Sequence, residues 1–144
     1  MKADWSARFL DLAGHIAGWS KDPSTQVGCV IVDDDRRILA TGYNGFPRGV
    51  TDSQDRLTDR TTKHMLVVHA EANAVAAAAR TGASLHGSTA YVTHPCCSQC
   101  AALLAQAGVK QVIHNGELRA AWAESSMLAK TIFNEAGVEY GKWE

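Results

Sequence analysis

The 144-residue chain has no apolar run long enough to span a bilayer and carries only three prolines and 7% aromatic residues. A transmembrane helix needs about 20 consecutive apolar residues, so a membrane-spanning role is excluded at the level of sequence. Charge of one sign is also missing: 14 basic residues face 15 acidic ones, with no basic cluster. Partners that demand a cationic groove, such as RNA or single-stranded DNA, therefore have no electrostatic footprint here. Repeats and low-complexity tails are absent as well. The start, Met1-Lys2-Ala3-Asp4-Trp5, lacks an apolar signal region. That predicts a cytoplasmic protein, in which the four cysteines stay reduced rather than forming a disulfide framework.

What is present suits one folded domain over 1–144. A chain of this length buries about two thirds of its unfolded surface and needs no covalent staples. Trp5, Phe9, Leu12, Ala13, Ile16 and Ala17 recur at helical spacing, predicting a helix over 4–19 that ends at Lys21-Asp22-Pro23. Val27 to Val32 and Ile38 to Tyr43 flank the charged turn 33–37 and read as a strand hairpin. Asn44 to Lys63 is polar and reads as a long loop, its charge run 52–63 as a solvated face. Beyond it, helices are predicted over 70–80, 97–107 and 118–136, and strands over 88–93, 109–114 and 138–140. Strands alternating with helices imply parallel pairing, with crossover helices covering the sheet.

Two short motifs carry the chemistry: His69-Ala70-Glu71 and Cys97-Ser98-Gln99-Cys100. One imidazole and two thiolates make a borderline-soft set that suits zinc. Structural zinc is normally closed by four protein atoms, whereas three ligands leave a position for water. Zinc lowers the pKa of such a water from about 15.7 to roughly 7, help on the order of 12 kcal/mol in making a nucleophile. Glu71, two residues from the imidazole, is then the group to move protons and not a ligand.

The neighbouring cysteines must be told apart. Cys97 and Cys100 stand three apart, so on the first turn of a helix they point the same way and can share a metal. Cys96 lies on another side and reads as a free thiol, while Cys29, inside an apolar strand, reads as core. His15, His64, His86, His94 and His114 read as surface or core residues, with His94 near enough in sequence to line the pocket. Both predicted ligand-bearing helices begin at the ligands, where the helix dipole favours the negative charge of thiolates. A non-enzymatic alternative stays open, in which Cys96 closes the metal and Glu71 has no role.

The order of these motifs, H-x-E followed by P-C-x-x-C, is the mark of zinc-dependent nucleobase deaminases. Cys96 here stands where the proline before the first cysteine ligand is expected. With Lys21-Asp22-Pro23-Ser24-Thr25-Gln26-Val27-Gly28 and Gly42-Tyr43-Asn44-Gly45-Phe46-Pro47-Arg48-Gly49, the chain resembles the deoxycytidylate (dCMP) deaminase family of the cytidine deaminase superfamily, from about Trp19 to Tyr140. The resemblance implies a three-layer α/β/α sandwich with a five-stranded mixed sheet, a Zn2+ cofactor, and a homo-oligomer, either hexamer or dimer. It implies hydrolysis of dCMP to dUMP and ammonia within pyrimidine deoxynucleotide metabolism. Cytidine or deoxycytidine, 5-modified dCMP or a guanine-type base is the alternative substrate for the same chemistry.

The resemblance also implies site roles beyond the metal. Asn44 is expected at the deoxyribose, Ser24, Thr25 and Gln26 near the phosphate, and Ala70 against the substrate. Asn44-Gly45 alone is also a common hairpin signal. Lys21 and Arg48 are candidates for the phosphate, because a dianion is best held by charge-assisted bonds. Asn73, one turn along from His69, is expected to orient a ligand or cap the pocket. Control by dCTP and dTTP is a further implication of the family, with no residue of this chain matched to an effector site.

Overall fold

The computed structural model describes residues 4–144. Five strands, β1 (Gly28–Val32), β2 (Ile38–Tyr43), β3 (Thr89–Val92), β4 (Gln111–His114) and β5 (Glu139–Lys142), form one sheet in the order β2-β1-β3-β4-β5. β1 is antiparallel to both neighbours, while β3, β4 and β5 run parallel. β1 is buried along its whole length and β2, at the edge, is only partly so. That explains why the first is a continuous apolar run and the second is mixed.

Side chains that alternate along the strands separate two cores. On one face, Val30, Val32 and Tyr91 pack with Phe9, Leu10, Ala13 and Ile16 of α1 (Trp5–Ala17). On the other, Cys29, Ile31, Ala90 and Val92 pack with α4 (Ala70–Thr81), α5 (Ser98–Gln106) and α6 (Ala123–Ala136). The layers are thus one helix, the sheet and three helices, the α/β/α mixed-sheet arrangement expected. Full burial of Leu104 and Phe133 contributes roughly 1.5–3 kcal/mol each to the second core.

Glycine lets the layers touch. A Cβ on Gly28 would stand 1.9 Å from the Ala13 carbonyl oxygen, and one on Gly42 would stand 2.2 Å from that of Ala70. The latter contact seats the start of α4, and therefore the His69 segment, directly on β2.

Three expected segments differ. The long loop contains two short helices, α2 (Gln54–Thr58) and α3 (Arg60–Leu66). Ser53 caps the first, yet only Leu57 in the pair is buried, too little apolar periodicity to announce a helix. The last helix begins at Ala123 rather than 118, after a 3₁₀ turn at Ala120–Trp122, because residue 119 is extended and reaches across to Thr25. β5 runs on to Lys142, since its backbone keeps pace with β4 through the pair His114 and Lys142. Among the described residues no helix is long and apolar enough to cross a membrane.

Candidate active site

His69 is the N-cap of α4 and Cys97 the N-cap of α5, so two helix N-termini converge on one point. The His69 Nδ1 atom lies 3.3 Å from Cys97 Sγ and 3.5 Å from Cys100 Sγ. With Zn–N near 2.0–2.1 Å and Zn–S near 2.3 Å, a tetrahedral site has an N···S edge of about 3.6 Å, so this triad fits zinc as it stands. The ligand atoms all lie within 4.8 Å of one another, and no other group of three potential ligands gathers among the described residues.

Electrostatics favour a thiolate here. The Cys97 Sγ accepts hydrogen bonds from the Cys100 thiol and from the backbone N–H of Cys100, with His69 beside it, and its pKa falls to about 4. Cys100, donor of the shared proton, is pushed up correspondingly. The Cys97 hydrogen bond raises the His69 pKa against the opposing effect of burial. Helix N-termini stabilise thiolate in the same sense.

Glu71 is 4% exposed on the first turn of α4 and lies outside the ligand triad. Desolvation raises its carboxyl above the ordinary glutamate range, the direction suited to a group that must carry a proton part of the time. Cys96 is buried beside it, outside the triad, its thiol held well up by burial and by the Glu71 charge. Ala70 is fully buried at the first position of α4, where the backbone N–H has no partner within the helix. Cys29 is fully buried core.

The segment around Asn44 builds the wall. Gly45 and Val68 exchange both backbone hydrogen bonds, at 3.1 and 2.8 Å, tying this segment to the residue before His69. Asn73 Nδ2 donates to the Tyr43 carbonyl at 2.7 Å, pinning α4 to the end of β2. Asn44 is 7% exposed; its Oδ1 accepts from Val27 N at 2.8 Å and its Nδ2 donates to the Thr25 carbonyl at 2.9 Å. The side chain thus holds the 25–27 loop and keeps one proton and one lone pair for a ligand.

Asp22 organises that loop from within. Its Oδ1 accepts from Ser24 N at 2.8 Å, Ser24 Oγ at 3.0 Å and Thr25 N at 3.0 Å. Gln26 Nε2 donates to the Ser20 carbonyl at 2.7 Å. Of the expected cations, Lys21 pairs with Asp52 at 3.0 Å on the surface, and Arg48 is exposed in a turn. Two others meet the loop. Lys63 Nζ lies 3.0 Å from Ser24 Oγ, and Arg119 Nη1 donates to Thr25 Oγ1 at 2.6 Å. Neither announces itself in the sequence: Lys63 lies in a charge run that reads as a solvated face, and Arg119 in a segment that reads as helix.

Trp122 also has a place that the sequence did not indicate. Its ring stands edge-on to His69, and the His64 ring lies 6.4 Å from it, tilted. His94 bonds Thr93 Oγ1 through Nδ1 at 3.0 Å and is held low by burial and by the Arg119 charge, which puts it beside the loop cluster. A groove of about 740 Å³ between α6, β5 and the 116–118 segment includes none of the triad. Ligand chemistry, not cavity size, marks the site.

Comparison with known proteins agrees with this chemistry. Residues 3–115 match the model of the cytidine and deoxycytidylate deaminase zinc-binding region. An uncharacterized deaminase from the luxG 3′ region of Aliivibrio fischeri is 39% identical over 142 residues, covering 96% of this chain and 93% of that protein. Mouse deoxycytidylate deaminase is 37% identical over 148 residues, covering 97% and 80%. The dCMP deaminase of cyanophage S-TIM5, solved in complex with dCMP and dUMP, superposes with a TM-score of 0.81 at 30% identity over 99% of both chains. The chain belongs to the cytidine and deoxycytidylate deaminase zinc-binding family.

Proposed function

We propose that residues 1–144 form one zinc-dependent deaminase domain that converts dCMP and water to dUMP and ammonia. The observation that carries this reading is the buried Glu71 carboxyl, two residues from the imidazole of a His-Cys-Cys triad that leaves one tetrahedral position open. Likeness to deoxycytidylate deaminases of mouse and cyanophage S-TIM5 supports the choice of substrate.

His69, Cys97 and Cys100 would hold the zinc, which supplies Lewis acidity that brings water within reach of deprotonation near neutral pH. Glu71 takes a proton from the attacking water as oxygen bonds to C4 of the cytosine ring. It delivers that proton to N3 and later moves one to the amino group, so that the C4–N bond breaks with ammonia as leaving group. A carboxyl with a raised pKa serves both directions of transfer. The Ala70 N–H faces the base, Asn44 uses its remaining donor and acceptor on the deoxyribose, and Ser24, Thr25 and Gln26 lie toward the phosphate. Water is limited at the reacting atoms by burial of Glu71 and by the Trp122 wall.

Exposed Met127 and Leu128 on α6, with Leu103 on α5, present an apolar face that fits a homo-oligomer. The test of function is turnover of the zinc-loaded protein on dCMP, CMP, deoxycytidine, dCTP, 5-methyl-dCMP and guanine, followed by absorbance and ammonia release, with and without dCTP and dTTP. The highest kcat/KM is expected on dCMP. Turnover confined to deoxycytidine or to guanine would overturn the assignment.

A further inference from the structure

We propose that Arg119 reads the 5′-phosphate of the nucleotide substrate, an inference that rests on the deaminase reading above. The 22–26 loop cannot hold a dianion by itself. The N–H groups of Ser24 and Thr25, which would otherwise be free to bind an anion, both point at Asp22 Oδ1. Asp22 moreover adds a negative charge beneath the loop.

Counting the cations around that loop singles out one. Lys63 lies 3.4 Å from Asp22 with both side chains largely buried, so its charge answers the carboxylate and stabilises the loop. Lys21 is answered in the same way by Asp52 on the outside. Arg119 has no carboxylate within ion-pair distance among the described residues. Its guanidinium is exposed and reaches the loop through one bond, Nη1 to Thr25 Oγ1, leaving most of its five N–H donors for a ligand. Such a planar fork matches phosphate oxygens two at a time.

The chain supplies the register. Arg119 precedes by three residues Trp122, whose ring stands against the metal ligand His69. Trp122 N donates to the Arg119 carbonyl at 2.9 Å, so the two residues sit across one tight turn, and the long Arg119 side chain reaches from it to Thr25. One segment therefore walls the base end of the site and charges its phosphate end. The extended backbone at Arg119, φ −87° and ψ 140°, delays the start of α6 and lets the side chain cross to Thr25.

The experiment compares the zinc-loaded parent with Arg119→Ala and Arg119→Lys on dCMP and deoxycytidine, with inorganic phosphate as inhibitor. The parent is expected to show phosphate inhibition competitive with dCMP. In Arg119→Ala the KM for dCMP should rise about 30-fold with kcat within about threefold, the range expected for losing charge-assisted bonds. The preference for dCMP over deoxycytidine should fall by a similar factor, phosphate inhibition should disappear, and Arg119→Lys should recover part of each. An equal loss on both substrates, or an unchanged KM for dCMP, would overturn the proposal. So would a parent enzyme that phosphate does not inhibit, a measurement that needs no variant. A parent that does not prefer dCMP would instead sink the choice of dCMP as substrate, and the two failures are distinct.

Discussion

The indole of Trp122 meets the imidazole of His69 edge-on, with ring centroids 6.1 Å apart and planes at 82°. In this arrangement the positive rim of one ring faces the π-cloud of the other, a pairing worth about 0.5–1.5 kcal/mol beyond the area it buries. His69 also supplies the one nitrogen of the ligand triad. Trp122 is 41% exposed, so it is a wall with one side free to meet a ligand.

From that geometry Trp122→Ala is expected to keep zinc stoichiometrically but to raise the KM for dCMP about tenfold. Its kcat should change by less than about threefold, because the ligands and Glu71 are untouched. Trp122→Phe should restore most of the binding, since the edge contact needs an aromatic ring and not the indole N–H. Steady-state kinetics alongside metal analysis decide the matter. An unchanged KM in the alanine variant would leave Trp122 with a packing role alone.

Glu71 and the three cysteines of the 96–100 segment separate holding the metal from moving the proton. Glu71→Gln removes the proton carrier and leaves all three ligand atoms, so we expect full zinc content and a kcat lower by at least about 10³. Cys97→Ala removes a ligand and should lose zinc on dialysis. Cys96→Ala should keep it, since Cys96 lies outside the triad. Zinc per chain after dialysis, read beside activity, checks all three variants. Retention by Cys97→Ala with loss from Cys96→Ala would move the ligand assignment by one residue.

The local parts of this site could be read from the sequence, and the long-range parts could not. His69 and Glu71 occupy the N-cap and first turn of one helix, and Cys97 and Cys100 the N-cap and first turn of another, so spacing alone places each pair. The hairpin is equally local, and β2 lies where its apolar run places it. Lys63 and Arg119 reach the 24–25 loop across 39 and 94 residues, and neither separation leaves a periodic trace. Gly42 is similar in kind. Its value is the space it leaves for the Ala70 carbonyl, something hydrophobic patterning does not record. Asn44-Gly45 carries two possible messages in sequence, a hairpin turn or a ligand contact. In the fold, the asparagine amide staples Thr25 and Val27 instead of closing a two-residue turn.

Asp22 links loop geometry to pH. Burial pushes its carboxyl up, but the hydrogen bonds from Ser24 and Thr25 and the Lys63 charge outweigh this, and the net pKa lies below the ordinary aspartate value. A carboxylate whose folded pKa is depressed contributes stability that is fully present above its unfolded value, near 3.9, and is lost as pH falls through the folded one. Asp22→Asn keeps the size and one acceptor oxygen but removes the charge, leaving the largely buried Lys63 ammonium unanswered. At pH 7 we expect the variant to be less stable by about 2 kcal/mol, within the range for breaking a buried charge-assisted network. Below about pH 4 the unfolded chain takes up a proton at Asp22 that the folded protein, with its lower pKa, still resists, so the gap should narrow by pH 3.5 and close only as pH falls through the folded value. Urea unfolding of both proteins at pH 7, 5 and 3.5 measures it directly. A gap that stayed constant across that window would place the loss in the shape of the loop, with the Asp22 charge contributing nothing.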